Sequence, residues 1–582
     1  MPVTINAISE RTVVRAKMLA LALFFVLAPL AWAADIRNSV AILAHVPRYW
    51  RPGVMYAGAV LLSFAALAVT PFLRNHVARC VFVVVFLTSF ALDRVVLATS
   101  GRHVDVMLLK LLWHNRSLAG PVLGEYMPVI APYVAAAAAL GLVLAWPISR
   151  GLAFRYAAIP VAALVAVPIQ YASWKGALEG YPSPFLVAAR TSWVLVKPST
   201  HNDLDLQPVT IPQDGSGGQR FDTIVIVMDE SVRGDYLTIN NSRIDTTPFL
   251  ASSADRIVNF GIATASANCS VASRWMFRRG VQPWQLPNQP SLIDEPDGIV
   301  TGPRTTIWQF AKTAGFRTVY VDPFRHDIGE LHSGLDRREL RFVDDQIALD
   351  APRHQRDLDA ARLLVSTLKS GGRTFLYIDK IGAHFPYDAN YPADFNRYAQ
   401  PDGRRFVYSR QTRADLIGSY KNAVSWNVDG FFRDVLHDAD LRRALIVYTS
   451  DHGENAWADS GTLWRHCDAG APSPAEVWVP LIALTGDAPF GAALRSSAAR
   501  SFNGATHFDI FPTLLVAMGY EASAVTARYG PTLLDIPAAR RRQFVTGDVI
   551  GRDARRWFDA TAPQVAAEDF AAPAHSLAHP DR

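Results

Sequence analysis

The 582-residue chain reads as an N-terminal transmembrane helical bundle followed by an α/β domain, a mainly parallel sheet flanked by helices. Three observations predict this. Long uncharged apolar runs crowd the first third, short β-rich runs alternate with amphipathic stretches from about residue 221, and the charge balance changes sign between the two parts. Residues 1–200 hold 17 Lys/Arg against 6 Asp/Glu, while the remainder holds 40 against 46. The basic excess therefore belongs to the apolar part, where it suits loops facing a membrane. The part that could carry chemistry is mildly acidic, which argues against nucleic acid as a partner.

The apolar runs are 18–34, 52–73, 126–149 and 156–174, with a fifth, 80–101, that contains Asp93 and Arg94. A helix needs about 20 apolar residues to cross a bilayer, and buried helices of a soluble core do not recur at this length in succession. The first run ends Ala31-Trp32-Ala33, which also fits a cleaved leader. Five spans with the N-terminus inside, or a cleaved leader and four spans, both place residue 175 onward outside the cytoplasm. Arg11, Arg15, Lys17, Arg74, Arg79, Arg150 and Arg155 fall in the segments expected inside. Asp93-Arg94 reads as a local pair near the outer interface. The expected division is 1–175 transmembrane, 176–220 periplasmic amphipathic segment (about 182–197) and polar linker (198–220), 221–548 catalytic, and 549–582 a tail without signals.

Within the catalytic part, buried strands are expected at Asp222–Met228, Arg317–Val321, Thr374–Ile378, Ala444–Thr449 and Val477–Leu484. Helices are expected at about 304–315, 356–369, 412–437 and 507–519. Such alternation implies a parallel sheet covered on both faces, and ligands of such sheets gather beyond the carboxyl ends of the strands. There the sequence places Asp229-Glu230-Ser231, Asp379-Lys380 with His384 beyond, and Ser450-Asp451-His452-Gly453-Glu454. Any one of these residues taken singly reads as a helix cap or surface carboxylate. Three acid- and imidazole-bearing clusters on one rim suit a divalent metal instead. Three cysteines are too few for a disulfide framework. Cys269 and Cys467 each stand beside a candidate site residue, so the sequence allows a bridge between them as well as two free thiols.

Ile226–Leu237, Thr246-Thr-Pro-Phe-Leu250 and Tyr448–Glu454 resemble the sulfatase/alkaline phosphatase superfamily. More narrowly, they resemble its membrane-bound phosphoethanolamine transferases and the related lipoteichoic acid synthases, over roughly 221–535. The resemblance implies an alkaline phosphatase/sulfatase-like domain and a divalent metal: zinc first, with manganese or calcium as alternatives. It places the metal on Glu230, Asp451, His452 and a hydroxyl nucleophile, and makes His384 and His466 substrate-side histidines. Asn268–Gly280 fits two registers. Ser270, Ala272, Arg274 and Gly280 meet the sulfatase signature, whereas alignment on Met276-Phe277 puts Cys269 at the nucleophile's place. Ser270 is favoured because a hard oxygen nucleophile suits phosphoryl transfer beside a hard metal, and its position also reads as a helix N-cap. The paired cysteines that the transferases carry around their nucleophile are missing, and Asp229 replaces their Gly before the first Glu.

The expected activity is metal-dependent transfer of a phosphoethanolamine, or a similar phospho-head-group, from a membrane phospholipid donor to a cell-envelope glycan or lipid acceptor. Ser270 would become covalently phosphorylated, with Arg274, His384 and His466 stabilising phosphoryl oxygens or moving protons. The expected location is the bacterial inner membrane, multi-pass, with the catalytic domain in the periplasm. A membrane-anchored sulfatase or phosphodiesterase using water is the rival enzyme, and an inactive envelope-binding scaffold the rival of another class.

Overall fold

The computed structural model describes residues 9–27, 50–100, 104, 108–109, 119–173, 183–196, 206–214, 220–286, 305–324, 335, 337–398, 413–455, 466–468, 472–547, 549 and 555–561. Ala31–Ala33, parts of the linker and most of the tail lie outside them. Two compact units divide the chain: 1–200 with 291–298, and 201–290 with 299–582.

The first unit holds helices Glu10–Leu27, Trp50–Val69, His76–Ser100, Ala119–Ala145, Ala158–Ser173 and Ser183–Val196. The first five overlap the five apolar runs, and the sixth is the amphipathic segment. Among the described residues, His76–Leu97 is the one helix long and apolar enough to cross a membrane, while Ala57–Phe72, Val129–Ala145 and Phe154–Ile169 are shorter apolar helices. Buried cations tie the helix ends together. Lys17 Nζ donates to the Pro71 carbonyl at 2.6 Å and the Leu144 carbonyl at 2.7 Å. Asp93 and Arg94 form the expected local pair at 2.9 Å, and Asp93 Oδ1 also accepts from the Val104 amide.

The second unit is built on seven strands: β1 (Thr223–Asp229), β2 (Val258–Thr264), β3 (Arg317–Asp322), β4 (Asp345–Ala348), β5 (Thr374–Asp379), β6 (Ala444–Ser450) and β7 (Trp478–Thr485). Their order is β2-β7-β6-β1-β5-β3-β4. The sheet is mixed, because β7 runs antiparallel to both β6 and β2, whereas the other pairings are parallel. A buried run of Val, Leu and Ile carries no sign of strand direction, so the sequence did not mark β7 as the antiparallel strand. The central strand β1 alternates its side chains between two cores. Ile224, Ile226 and Met228 enter one, Val225 and Val227 the other, and all are fully buried. Burial on both faces is what gives the strand its unbroken apolar run.

Two strands of this sheet escape a sequence reading. β2 contains Gly261 and shifts register between Asn259 and Ile262, and β4 is four residues long and only partly buried. A ribbon of β8 (Gln543–Gly547) and antiparallel β9 (Arg555–Asp559) also crosses the boundary expected at 548. Register then sets the site. Met228 pairs with Asp379 and Asp229 with Ser450, so β1, β5 and β6 end level on one rim.

Candidate metal centre and active site

Glu230 follows β1 directly, and Asp451-His452 follow β6. Ser270 opens the helix Ser270–Arg279, with Cys269 at the N-cap and Gly280 at the C-cap. The cap is thus the residue before Ser270, and the serine occupies the first helical position. Gly280 adopts φ 61°, and a Cβ there would lie 2.5 Å from the Phe511 ring, so the helix can end and pack only with glycine at that position.

These elements bring four ligand-type side chains together. Glu230, Asp451 and His452 each offer an atom within 4.8 Å of the others. Ser270 Oγ lies 2.9 Å from His452 Nε2 and 3.2 Å from Glu230 Oε1. His452 Nδ1 lies 2.8 Å from the Gly453 carbonyl, so Nδ1 donates a hydrogen there and Nε2 is the ring nitrogen turned to the centre. Ser231, whose φ of 60° is rare outside glycine, donates its amide to Asp451 Oδ1 at 3.2 Å and its hydroxyl to Glu230 Oε1 at 3.0 Å. Glu230, Asp451 and His452 are fully buried, whereas Ser270 is 9% exposed and forms the accessible edge.

Crowding carboxylates in a dry site disfavours their charge. Burial and then the Glu230 charge push the Asp451 carboxyl up to about 7. Burial lowers the His452 imidazole, but Asp451 and Glu230 outweigh it and raise it to about 10. The centre therefore calls for added positive charge. Two carboxylates, one imidazole with Nε2 inward and one hydroxyl form a donor set that fits a four-coordinate divalent cation of the zinc type, which would take the place of the Nε2 proton.

Arg274 supplies the fixed cation. Its guanidinium lies 2.8 Å from Glu230, 2.9 Å from Asp379 and 3.1 Å from Asp451. It takes Glu230 Oε2 and Asp451 Oδ2, leaving Oε1 and Oδ1 on the side of Ser270 and His452. Arg274 is fully buried and engaged by all three carboxylates. Asp379 in turn accepts from the Tyr320 hydroxyl at 2.6 Å.

The two histidines differ. The His466 ring stacks on His452 with centroids 4.1 Å apart, and its Nδ1 lies 3.4 Å from Glu454 Oε1. His384 is one layer removed: its ring packs on Phe324 at 5.5 Å, and Phe324 in turn lies under Arg274. Arg353 and the Phe385 carbonyl contact its Nδ1. Cys269 forms a disulfide with Cys467. As a half-cystine Cys269 has no thiolate to attack with, which leaves Ser270 as the candidate hydroxyl. Asp379 and Glu454 were visible as strand-end acids, but no spacing assigned them to Arg274 and His466.

Asp229, the neighbour of Glu230, points elsewhere. It accepts from Lys380 Nζ at 2.6 Å and from the Tyr448 hydroxyl at 2.7 Å. It therefore contributes no second acid to the centre.

This seven-stranded mixed sheet carries an acidic and imidazole cluster beside a helix-borne hydroxyl, and residues 222–520, more than half of the chain, match the Sulfatase family. The chain belongs to that family. It is 24% identical over 436 residues to the Kdo(2)-lipid A phosphoethanolamine 7''-transferases of Salmonella typhimurium and Escherichia coli, with 70% of each chain covered. Its fold is similar to that of the integral membrane lipooligosaccharide phosphoethanolamine transferase A from Neisseria meningitidis, with a TM-score of 0.52 and 18% identity, covering 77% of this chain and 88% of that one. The resemblance carried by the strand-end motifs is therefore the one these comparisons return.

Proposed function

We propose that this protein transfers phosphoethanolamine, or a closely similar phospho-head-group, from a membrane phospholipid to a lipid or glycan acceptor of the cell envelope, from a multi-pass anchor in the bacterial inner membrane. The observation that carries the reading is Ser270 Oγ at 2.9 Å from His452 Nε2 and 3.2 Å from Glu230 Oε1, on the accessible edge of an otherwise buried centre. The likeness to phosphoethanolamine transferases over most of the chain supports the group transferred.

Glu230, Ser270, Asp451 and His452 would hold a divalent metal, zinc by the chemistry of the donor set. That ion would lower the pKa of the serine hydroxyl and offset charge on the phosphoryl oxygens. Arg274 keeps Glu230 and Asp451 each presenting one oxygen. Ser270 Oγ then forms a bond to phosphorus while the phosphorus–oxygen bond to diacylglycerol breaks, and diacylglycerol leaves with a proton. In the second half an acceptor oxygen attacks phosphorus, its proton is lost, and Ser270 regains its hydroxyl. His466, beside His452, would move those protons. His384 would act only from across Phe324. The first position of a helix also favours the anionic group that Ser270 would carry.

Incubation of the full-length protein with head-group-labelled phosphatidylethanolamine tests this. Label on a Ser270 peptide, diacylglycerol release, and passage of label to an added acceptor lipid are the expected results. Free head group released at the same rate with and without acceptor would assign the site to hydrolysis instead.

A further inference from the structure

Two of the three cysteines form a single bond that joins segments 198 residues apart, and its two ends are specific. Cys269 caps the helix that begins with Ser270. Cys467 directly follows His466, whose ring lies on His452. A second tie runs beside the first. The Cys467 amide donates to the Asn268 carbonyl at 2.8 Å, and Asn268 Nδ2 donates to the Asp468 carbonyl at 2.8 Å and to Glu476 Oε2 at 2.6 Å. Cys467 itself stands at φ 65°, a conformation that a residue with a side chain keeps only when its surroundings impose it. From the other side the fully buried Glu454 faces His466 Nδ1 at 3.4 Å.

We infer that the Cys269–Cys467 disulfide is a positioning bond of the transfer reaction, holding the His466 ring in register with the Ser270–His452 pair. This rests on the reading given above. A staple placed for stability alone has no reason to end on the two residues that adjoin the nucleophile and the histidine stacked over its partner. Bond and imidazole form one device: without the bond the His466 segment loses its covalent tie to the Ser270 helix, and without His466 the bond positions nothing that reacts.

That coupling gives the test. Full-length protein in detergent is prepared as wild type, Cys269→Ser/Cys467→Ser, His466→Ala and the triple variant, and kcat and KM are measured with labelled phosphatidylethanolamine and an acceptor lipid. Metal content and thermal unfolding are recorded alongside. The cysteine pair is expected to lower kcat about tenfold to a hundredfold, the scale of a small misplacement of a reacting group, with KM and metal content little changed. In the His466→Ala background the same pair should cost almost nothing further, since the two act as a unit. Losses that multiply, or a cysteine-free protein with wild-type kcat, would overturn the inference while leaving the transferase reading intact. Should the serine variants not fold, folded wild type and His466→Ala are treated with a water-soluble phosphine, which is oxidised to its oxide as the bond is reduced to two thiols, and compared in the same way. Oxidised wild type that transfers no label at all would remove the transferase reading, and the inference with it.

Discussion

Asp229 and Glu230 are neighbours at the end of β1, both fully buried, and they meet opposite fates. Asp229 enters a closed set. Lys380 Nζ and the Tyr448 hydroxyl reach its Oδ2, Lys380 also donates to the Asn427 carbonyl at 3.0 Å, and Asp357 stands 3.5 Å beyond. Asp357 is held in turn by the amides of Ile381 and Gly382 at 2.8 and 2.9 Å. Gly382 is required there, because a Cβ would come within 2.0 Å of Asp229 Oδ1. Glu230 enters an open set, where Arg274 takes one oxygen and the other shares a space with Ser270 and His452. The closed set balances charge with a built-in lysine and holds the 380–384 loop to β1. The open set meets its acids only partly with Arg274, so its balance depends on a proton or a cation. One β-strand end thus separates structure from chemistry by the direction of consecutive side chains.

The comparison can be broken at either set. The largest effect is expected from Ser270→Ala, which should lower transfer by at least about 10³-fold. Its unfolding temperature should stay near wild type, measured by scanning calorimetry beside the label assay. Lys380→Met attacks the closed set and should destabilise by about 3–5 kcal/mol, because it leaves Asp229 and Asp357 buried without their cation. Denaturant titration reads that loss, and metal bound per folded molecule should not change. Equal metal loss in the Lys380 variant would dissolve the distinction. Glu230→Gln should do the reverse, losing bound metal by elemental analysis and activity with it, while chelation reproduces the loss in wild type and added zinc restores it.

Smaller effects sharpen the picture. Tyr448→Phe deletes one hydrogen bond to Asp229 and should cost about 1 kcal/mol. His507, beneath the nucleophile helix, sits near Ser266, Ser273 and Thr449, and burial lowers its imidazole to about 3. Since the folded value lies below the ordinary one of 6.5, the unfolded chain gains a proton that the fold refuses. Stability should therefore fall as the pH drops from about 6.5 toward 3, and His507→Gln should flatten that slope in pH-dependent thermal unfolding.

Much of the site was legible because it lies where local pattern ends. The apolar runs of β1, β5 and β6 stop at Asp229, Asp379 and Ser450, and the residues just beyond them carry the ligand-type groups. The Ser270, Ala272, Arg274 and Gly280 spacing met the sulfatase signature, and in the structure the first three lie on one helix that Gly280 ends. Harder to read were β2, with its glycine and register shift, and the partly buried four-residue β4, since neither sustains a period. That Asp229 and Glu230 part company was not legible, because spacing carries no information about which way a side chain turns after its strand.

Sequence alone determined the alternation of strands and helices, the apolar first third, and which residue types stand at the strand ends, because periodicity and burial are written locally. Tertiary structure decided the rest: the antiparallel β7, the bond that takes Cys269 out of contention, the carboxylates that engage Arg274, and the Phe324 ring between Arg274 and His384. Each of these depends on partners far away in the chain, and a side chain's role follows from the charges and rings that folding brings within a few ångströms of it.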